Sequence, residues 1–394
     1  MKKTISLLLL FLLPIFGVIS AQKELPEKKR VCLNMIIKDE RDVIERCLGS
    51  VKNIIDYWVI VDTGSTDGTQ EIVKKFMKDI PGELHERKWV DFAHNRNEAL
   101  QLAKGKADYL LLIDADEILQ YSKDFSLPSL DKDYYHITVR QLGAADVKRT
   151  GLVNNHLNWK WRGVLHEVIE TPEAKTYGLL NGVINICNAA VGARSKIPQK
   201  EKYLKDAKVL EKALKTEPDN SRYAYFLGQS YLAADEYKLA KLAFEKRVTM
   251  QSPDPEETYR SFYSLGLAQE KLEELDPAIE SFFKAYKCRP TRAEPLFRIA
   301  TIYRKKGNFL LGYLLSKYAL TIPYPTYDVC VEYMTYDYAL LIEFANCTLL
   351  SGKFQEGLQA CMQLLANPNL PAEIRPHVIA NCELAKKNLG IRHD

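Results

Sequence analysis

The sequence predicts two parts in succession, an α/β domain built on a mostly parallel sheet and an all-α array of helical hairpins. Three observations lead to this prediction. Short apolar runs alternate with amphipathic segments up to about residue 113, helical periodicity dominates after Pro198, and pairs of small residues recur in that second half. With 394 residues, of which 46% are hydrophobic, the chain is long enough for two or three domains with their own cores.

The first part contains four apolar runs that are typical of strands. They are residues 31–37, 57–61, 83–90 and 109–113. Apolar residues at helical spacing follow the first two runs, and residues 92–103 are predicted to form the helix before the fourth. Strands that alternate with helices indicate a mostly parallel sheet covered on both faces.

Between about residues 134 and 194 the helical period fades. The stretches 135–140, 164–169 and 183–187 are typical of strands, and the first two partly alternate between apolar and polar side chains. We expect them to form the antiparallel end of the same domain.

The second part repeats a pattern of small residues. The pairs Leu227-Gly228, Leu265-Gly266, Ile299-Ala300 and Phe344-Ala345 recur at intervals of 38, 34 and 45 residues. Each is followed by a small residue with a partner four positions later: Ala240 and Phe244, Ala278 and Phe282, Gly312 and Ser316, and Gly357 and Cys361. Two antiparallel helices pack closely only where small side chains lie at their crossing, and each pair needs a neighbour to cover its apolar face. The spacing therefore predicts a continuous array of hairpins.

Composition excludes some classes of function. The net charge of +4 over 394 residues is too small to favour a nucleic-acid partner, which would require concentrated basic residues. The eight cysteines include no C-x-x-C pair, so neither a zinc finger nor a redox dithiol is predicted.

The N-terminus resembles a targeting segment. Lys2 and Lys3 precede an apolar run from Thr4 to Ser20, which is the layout of a secretory signal peptide. The run is almost long enough to span a membrane and is followed by Lys28 and other basic residues, so a retained anchor with a cytoplasmic flank is the alternative. Residues 1–25 are therefore set apart from the fold prediction.

Acidic clusters follow three of the predicted strands. Asp39 and Glu40 follow the first, Asp62 to Asp67 follow the second, and Asp114 to Glu117 follow the fourth. Like charges at one sheet edge repel, so their convergence requires a cation or hydrogen-bond donors. One Asp-x-Asp alone is more often a loop cap, and Asp62 to Thr69 is also typical of a helix N-cap. The order and spacing of all three clusters favour a site for a hard divalent cation, Mg²⁺ or Mn²⁺.

Four ordered motifs carry a resemblance to a known family. They are Met35-Ile36-Ile37-Lys38-Asp39-Glu40, Val59-Ile60-Val61-Asp62-Thr63-Gly64-Ser65-Thr66-Asp67-Gly68-Thr69, Asp91-Phe92-Ala93-His94-Asn95-Arg96-Asn97-Glu98-Ala99-Leu100 and Leu111-Leu112-Ile113-Asp114-Ala115-Asp116-Glu117. With these motifs the chain resembles glycosyltransferase family 2, and more narrowly the bacterial branch that joins such a domain to tetratricopeptide repeats. The resemblance covers roughly residues 31–360.

The resemblance implies roles for several residues. Asp39 and Asp62 would hold the base and ribose of a nucleotide-diphosphate sugar, Asp114 would approach the ribose or sugar, and Asp116 would bind the metal that bridges the diphosphate. Arg96 is a candidate donor to nucleotide or phosphate, and a salt bridge on its own helix is the alternative.

An inverting transfer also needs a base, and Glu167 is the candidate. It lies beside His166, which would complete the metal shell, in a segment where Trp159 and Trp161 would wall an acceptor pocket. The alternative is a half-buried strand whose His and Glu bond to the backbone and whose tryptophans belong to the core.

Together these points predict a GT-A-like catalytic domain at residues 30–197 and a tetratricopeptide solenoid at 198–390. The expected activity is metal-dependent, inverting transfer of a sugar from a nucleotide-diphosphate donor to a protein, lipid or glycan acceptor. The repeats would dock an acceptor protein or form a homo-oligomer. The rivals are an inactive tetratricopeptide scaffold and a nucleotidyltransferase, although the Gly-rich loop of the latter is missing. Because nucleotide sugars are made in the cytoplasm, we expect membrane association with a cytoplasmic catalytic domain, and export after cleavage as the alternative.

Overall fold

The computed structural model describes residues 28–141, 146–188, 191–252, 254–325 and 331–391. The predicted targeting segment, residues 1–25, lies outside this part of the chain. Within the described ranges no helix combines the length and the apolar character that crossing a membrane requires.

The first part alternates strands and helices before it becomes all-strand. Its elements are β1 (Val31–Ile37), α1 (Ile44–Val51), β2 (Tyr57–Asp62), α2 (Thr69–Phe76), β3 (Gly82–Glu86), α3 (Phe92–Ala103), β4 (Tyr109–Leu112), β5 (Ile118–Tyr121), β6 (Tyr134–Gln141), β7 (Val147–Asn154), β8 (Lys160–Arg162), β9 (Val168–Glu170) and β10 (Tyr177–Cys187). A short 3-10 turn at Ala193–Lys196 follows.

Eight of these strands form one sheet in the order β3-β2-β1-β4-β7-β6-β10-β5. The first four are parallel, as the alternation of strands and helices predicts. β7 runs antiparallel to both β4 and β6, β10 is parallel to β6, and β5 closes the edge antiparallel to β10. The mostly parallel, mixed sheet is thereby confirmed.

Two strand predictions need correction. The third strand ends at Glu86, so its extension to residue 90 is wrong, because the chain leaves the sheet before α3 begins at Phe92. Of residues 164–169 only the last two lie in a strand, β9, which pairs with β8 in a separate two-stranded ribbon. The residues before β9 form a tight loop, and this loop carries His166 and Glu167.

The second part is a series of helices. They are α4 (Gln199–Thr216), α5 (Ser221–Ala233), α6 (Tyr237–Val248), α7 (Pro255–Lys271), α8 (Leu275–Cys288), α9 (Glu294–Lys305), α10 (Phe309–Ala319), α11 (Leu340–Leu350), α12 (Phe354–Ala366) and α13 (Arg375–Asn388), with a π turn at Thr335–Ala339 before α11. The four predicted pairs of small residues lie on α5, α7, α9 and α11, and their later partners lie on the helix that follows each.

The glycines of the repeat lie where paired helices touch. A Cβ added to Gly228 would lie 2.7 Å from the ring of Phe244, and one added to Gly266 would lie 2.7 Å from the ring of Phe282. Both aromatic side chains are fully buried. The small residue is therefore required by the close approach of the two helices.

One apolar cluster joins the two parts of the chain. Leu165, from the loop before β9, belongs to the same cluster as Leu210 of α4 and Tyr223 of α5, with Phe92 packed against them. The first helices of the array therefore support the loop that carries Glu167.

Candidate active site

The three acidic clusters lie at one edge of the sheet. β1 pairs in parallel with β2 on one side and with β4 on the other, so the carboxyl ends of these three strands are adjacent. Asp39 follows β1, Asp62 ends β2, and Asp114 follows β4. The predicted convergence of the acidic loops is therefore confirmed, at the edge where open α/β sheets bind ligands.

The first two loops are bonded to each other. Asp39 has a left-handed backbone, with φ of 53°, and its N–H donates to Ser65 Oγ at 2.9 Å. The N–H of Thr66 donates back to Asp39 Oδ1 at 2.8 Å, and the N–H of Glu40 donates to Thr69 Oγ1 at 3.0 Å. These reciprocal bonds hold the loops after β1 and β2 as one unit.

Asp62 lies beneath that unit and is fully buried. Its Oδ1 accepts hydrogen bonds from the N–H groups of Gly64 at 2.8 Å and Ser65 at 2.9 Å and from Gln70 Nε2 at 3.0 Å. Its Oδ2 is buried without a hydrogen bond from any described residue. An unsatisfied buried carboxylate oxygen is costly, so this atom is suited to accept a hydrogen bond from a ligand.

Arg96 joins two of the predicted residues. From α3 it donates through Nη2 to Asp114 Oδ1 and through Nε to Glu167 Oε1, both at 2.6 Å, while its guanidinium lies 4.9 Å from the Trp161 ring centre. Burial opposes ionisation of Asp114, yet the charges of Arg96 and Arg149 hold its pKa below the usual range. Asp114 and Glu167, which follow Arg96 by 18 and 71 positions in the sequence, are thus hydrogen-bonded to the same guanidinium group.

Asp116 has a different environment from Asp114. Burial, followed by the charges of Asp114 and Glu117, raises the pKa of Asp116 to about 6. The neighbouring cations Arg96 and Arg149 pair with Asp114 and Glu117 instead, and no described lysine or arginine forms an ion pair with Asp116. Its carboxylate is therefore available to a cation from outside the chain.

The segment before the 3-10 turn lies against Asp116. Gly192 has φ of 93°, and a Cβ there would lie 2.6 Å from Asp116 Oδ2, so only glycine fits this close approach. The next N–H, that of Ala193, donates to Glu40 Oε2 at 3.2 Å. Burial, together with the charges of Asp116 and Asp114, raises the pKa of Glu40 to about 7.

His166 precedes Glu167 in the loop before β9. Its backbone is left-handed, with φ of 53°, and its ring stacks on Phe226 of α5 with centroids 3.9 Å apart. Packing removes part of the imidazole ring from water, and this desolvation, together with the charges of Arg222, Arg194 and Arg260, lowers the pKa of His166. The surroundings of His166 are thus strongly positive, whereas those of Asp116 are negative.

The donor set around Asp116 is compatible with a hard divalent cation. Carboxylate oxygen is the ligand type that Mg²⁺ and Mn²⁺ prefer, and Asp116 offers oxygens that no described cation neutralises. Within the described ranges no group of three or more His, Cys, Asp and Glu side chains is placed to hold a metal by itself. Among the described residues, Asp116 would therefore supply only part of a coordination shell.

Several residues of this site escaped the sequence-based prediction. Glu40 stood inside an acidic motif without a role, and Arg149 lies in β7, a strand that was not predicted. Asn97 exchanges two hydrogen bonds with the backbone of Trp161, at 2.8 and 2.9 Å, and so fixes β8 to α3. Asn97 follows Arg96 within the third family motif, and this position could have identified it from the sequence. No sequence pattern distinguishes Arg149.

Comparisons with known proteins agree with this organisation. Residues 32–155 match a family model described as glycosyl transferase family 2. A TPR repeat-containing protein of Synechococcus elongatus is 25% identical over 321 residues, which are 74% of this chain and 75% of the relative. The glycosyltransferase SunS of Bacillus subtilis is 26% identical over 223 residues, 52% of this chain, and the match spans half the length of SunS.

Among solved structures, the TPR protein YrrB aligns with 48% of this chain and 87% of its own, at 14% identity and a TM-score of 0.38. The protein MamA aligns with 48% of this chain and 85% of its own, at 15% identity and a TM-score of 0.34.

Proposed function

We propose that this glycosyltransferase, whose residues 32–155 form a glycosyl transferase family 2 domain, moves a sugar from a nucleotide-diphosphate donor to an acceptor hydroxyl with inversion at the anomeric carbon. The observation that carries the proposal is the meeting of Asp62, Asp114 and Asp116 at one sheet edge, with Arg96 joining Asp114 to Glu167.

The loops after β1 and β2 bind the nucleoside in this proposal. Asp62 Oδ2 accepts a hydrogen bond from an N–H of the base, which supplies the partner that the buried oxygen lacks within the described chain. Asp39, held against Thr66, borders the ribose. Asp114, oriented by Arg96, approaches the ribose or the transferred sugar.

Asp116 would hold a divalent cation, Mg²⁺ or Mn²⁺, which when bound would supply positive charge to offset the negative charge of a departing diphosphate. The ligands that the described side chains do not supply would have to come from the donor and from water. We do not include His166 among the proposed metal ligands, because the positive charges of the neighbouring arginines make its position unfavourable for a metal cation.

Glu167 is the base. Its Oε1 accepts from Arg96, and Oε2 makes no hydrogen bond with a described residue, so it remains available to the acceptor. The acceptor oxygen attacks the anomeric carbon, its proton passes to Glu167, and the bond to the diphosphate oxygen breaks with its electron pair on the leaving nucleotide. Attack opposite the leaving group inverts the anomeric centre.

Donor hydrolysis tests the proposal. We expect the purified chain to hydrolyse one of a set of uridine, guanosine and cytidine diphosphate sugars when Mn²⁺ is present, and to lose at least about a hundredfold in kcat in Asp116→Asn. Asp124→Asn, at an exposed aspartate outside the three acidic clusters, is the matched control. Turnover that is insensitive to both metal and Asp116→Asn would remove the metal from the mechanism. No turnover with any donor would favour the scaffold alternative.

The helical array offers a surface for a macromolecular partner. We propose that the helical array docks a protein acceptor or a second copy of the chain, because hairpin arrays present extended surfaces.

We also propose a membrane-associated protein with its catalytic domain in the cytoplasm, where donors are made. Sequencing the mature N-terminus of the native protein and testing protease access on intact cells check this location, and a cleaved, exported chain would contradict it.

A further inference from the structure

Three arginines from different elements approach the loop that carries the proposed base. Arg194 comes from the 3-10 turn, Arg222 from α5 and Arg260 from α7, and the charges of all three act on the ring of His166. A fourth, Arg247 of α6, reaches the same region through Glu257. These four residues are named the arginine cluster.

The acidic residues nearby balance only part of this charge. Asp206 pairs with Arg194 at 2.6 Å, and Glu257 is shared between Arg222 at 2.8 Å and Arg247 at 3.7 Å. Arg260 forms no ion pair with any described residue; its guanidinium lies 5.3 Å from the Tyr225 ring centre. These ion pairs leave the charge of Arg260 without a carboxylate partner among the described residues.

Arg247 is the fully buried member of the arginine cluster. Its side chain is 0% exposed, and none of its three nitrogens has a hydrogen-bond partner among the described residues. A buried guanidinium carries five N–H donors, and burying it without acceptors is costly. An anion bound at the cluster would offset this cost by lowering the potential around Arg247 and Arg260.

The cluster lies next to the proposed base. Arg222 Nη2 donates to the backbone oxygen of His166 at 3.0 Å, and Glu167 is the next residue. The ring of Phe226 is covered by His166 on one side and approached by Arg222, 4.9 Å from its centre. A molecule whose anionic group reaches these arginines would place its neighbouring hydroxyl groups close to Glu167.

We propose that the arginine cluster is an acceptor subsite, and that the acceptor carries a carboxylate or phosphate group near the hydroxyl that receives the sugar. This inference rests on the proposed function, since it takes Glu167 as the base. Arginine suits both groups, because its planar N–H donors form paired bonds with carboxylate and phosphate oxygens.

Binding to the full-length chain without donor tests the subsite directly. The probes are glucuronate, glucose 6-phosphate and glucose, titrated by calorimetry at low salt. We expect both anionic sugars to bind at least about tenfold more tightly than glucose, and Arg260→Gln to remove that preference. Arg260→Lys should restore part of it. Lys238→Gln, which removes one exposed charge from α6 outside the cluster, should leave it unchanged.

The outcomes separate this inference from the proposed function. Equal binding of glucose and both anionic sugars would overturn the inference, as would an anion preference that survives Arg260→Gln. A preference for only one probe identifies the anionic group as carboxylate or phosphate. If the nucleoside diphosphate that binds with Mn²⁺ displaces the anionic sugars, the cluster serves the donor, and the inference fails. Donor hydrolysis needs no anionic sugar, so its absence would count against the proposed function alone.

Discussion

At the scale of single residues, Asp114 and Asp116 show how environment separates two carboxylates of one motif. Arg96 and Arg149 keep the pKa of Asp114 low, whereas burial and like charges raise that of Asp116 to about 6. The sequence predicts that both carboxylates belong to a binding site, since acidic clusters follow three of the predicted strands. It does not predict which carboxylate is neutralised, because Arg149 comes from a strand that has no clear periodicity.

The same crowding makes Glu40 a source of pH dependence. Its pKa is raised from 4.5 to about 7 by burial and by the charges of Asp116 and Asp114. A raised carboxyl pKa means that the folded state holds its proton more tightly than the unfolded state. The contribution of Glu40 to the stability of the chain without metal should therefore decrease as pH rises from about 4.5 to about 7.

Glu40→Gln should remove this loss. Glutamine keeps an acceptor for the N–H of Ala193 and carries no charge, so we expect the variant to be more stable than wild type by about 1–2 kcal/mol at pH 8, after allowance for solvent screening. The difference should vanish below about pH 4.5, where the unfolded carboxyl is also protonated. Urea titrations of both proteins at pH 4, 6 and 8 measure it. A difference that is constant with pH would show that the carboxyl does not titrate in this range.

At the scale of elements, the repeat spacing was the most informative part of the sequence. The small residues at positions 228 and 266 predicted close helix crossings, and the structure places each against a buried aromatic ring. The orientation of the His166 ring could not be predicted from such spacing. It depends on a left-handed backbone at that residue and on a ring from α5, 60 positions later, and neither leaves a periodic signal.

Gly266→Ala tests the crossing of α7 and α8. The new methyl would lie 2.7 Å from the ring of Phe282, which is fully buried and cannot move aside without disturbing its neighbours. We expect a loss of about 1–3 kcal/mol in the free energy of unfolding, measured by denaturant titration.

Gly49→Ala is the matched control for that substitution. It also replaces a helical glycine, but its Cβ would meet Phe76 at an ordinary 3.6 Å. Alanine is the better helix former, so this variant should be unchanged or more stable by about 0.5–1 kcal/mol. Equal destabilisation by the two substitutions would mean that the close crossing is not what selects glycine in the repeat.

At the scale of the whole molecule, the helical array supports the loop that carries Glu167, the proposed base. The sequence divides the chain into two parts by a change in period near Pro198, and it says nothing about contacts between them. Those contacts depend on Leu165, which packs with α4 and α5. The strand pattern at 164–169 gave no sign of this packing. The hydrogen bond from Arg222 to the backbone of His166 ties the same loop to α5.

Leu210→Ala tests whether this packing positions Glu167. Leu210 is 0% exposed within the cluster that contains Leu165, so its truncation should cost about 2–5 kcal/mol of stability. Leu210 is not part of the acidic loops, but it belongs to the same apolar cluster as Leu165, which is two residues before Glu167. We therefore expect kcat to fall at temperatures where the variant is still folded, with little change in the donor KM. Leu242→Ala, an exposed leucine of α6, is the control. A folded Leu210→Ala protein with unchanged kcat would show that the loop that carries Glu167 keeps its position without this packing contact.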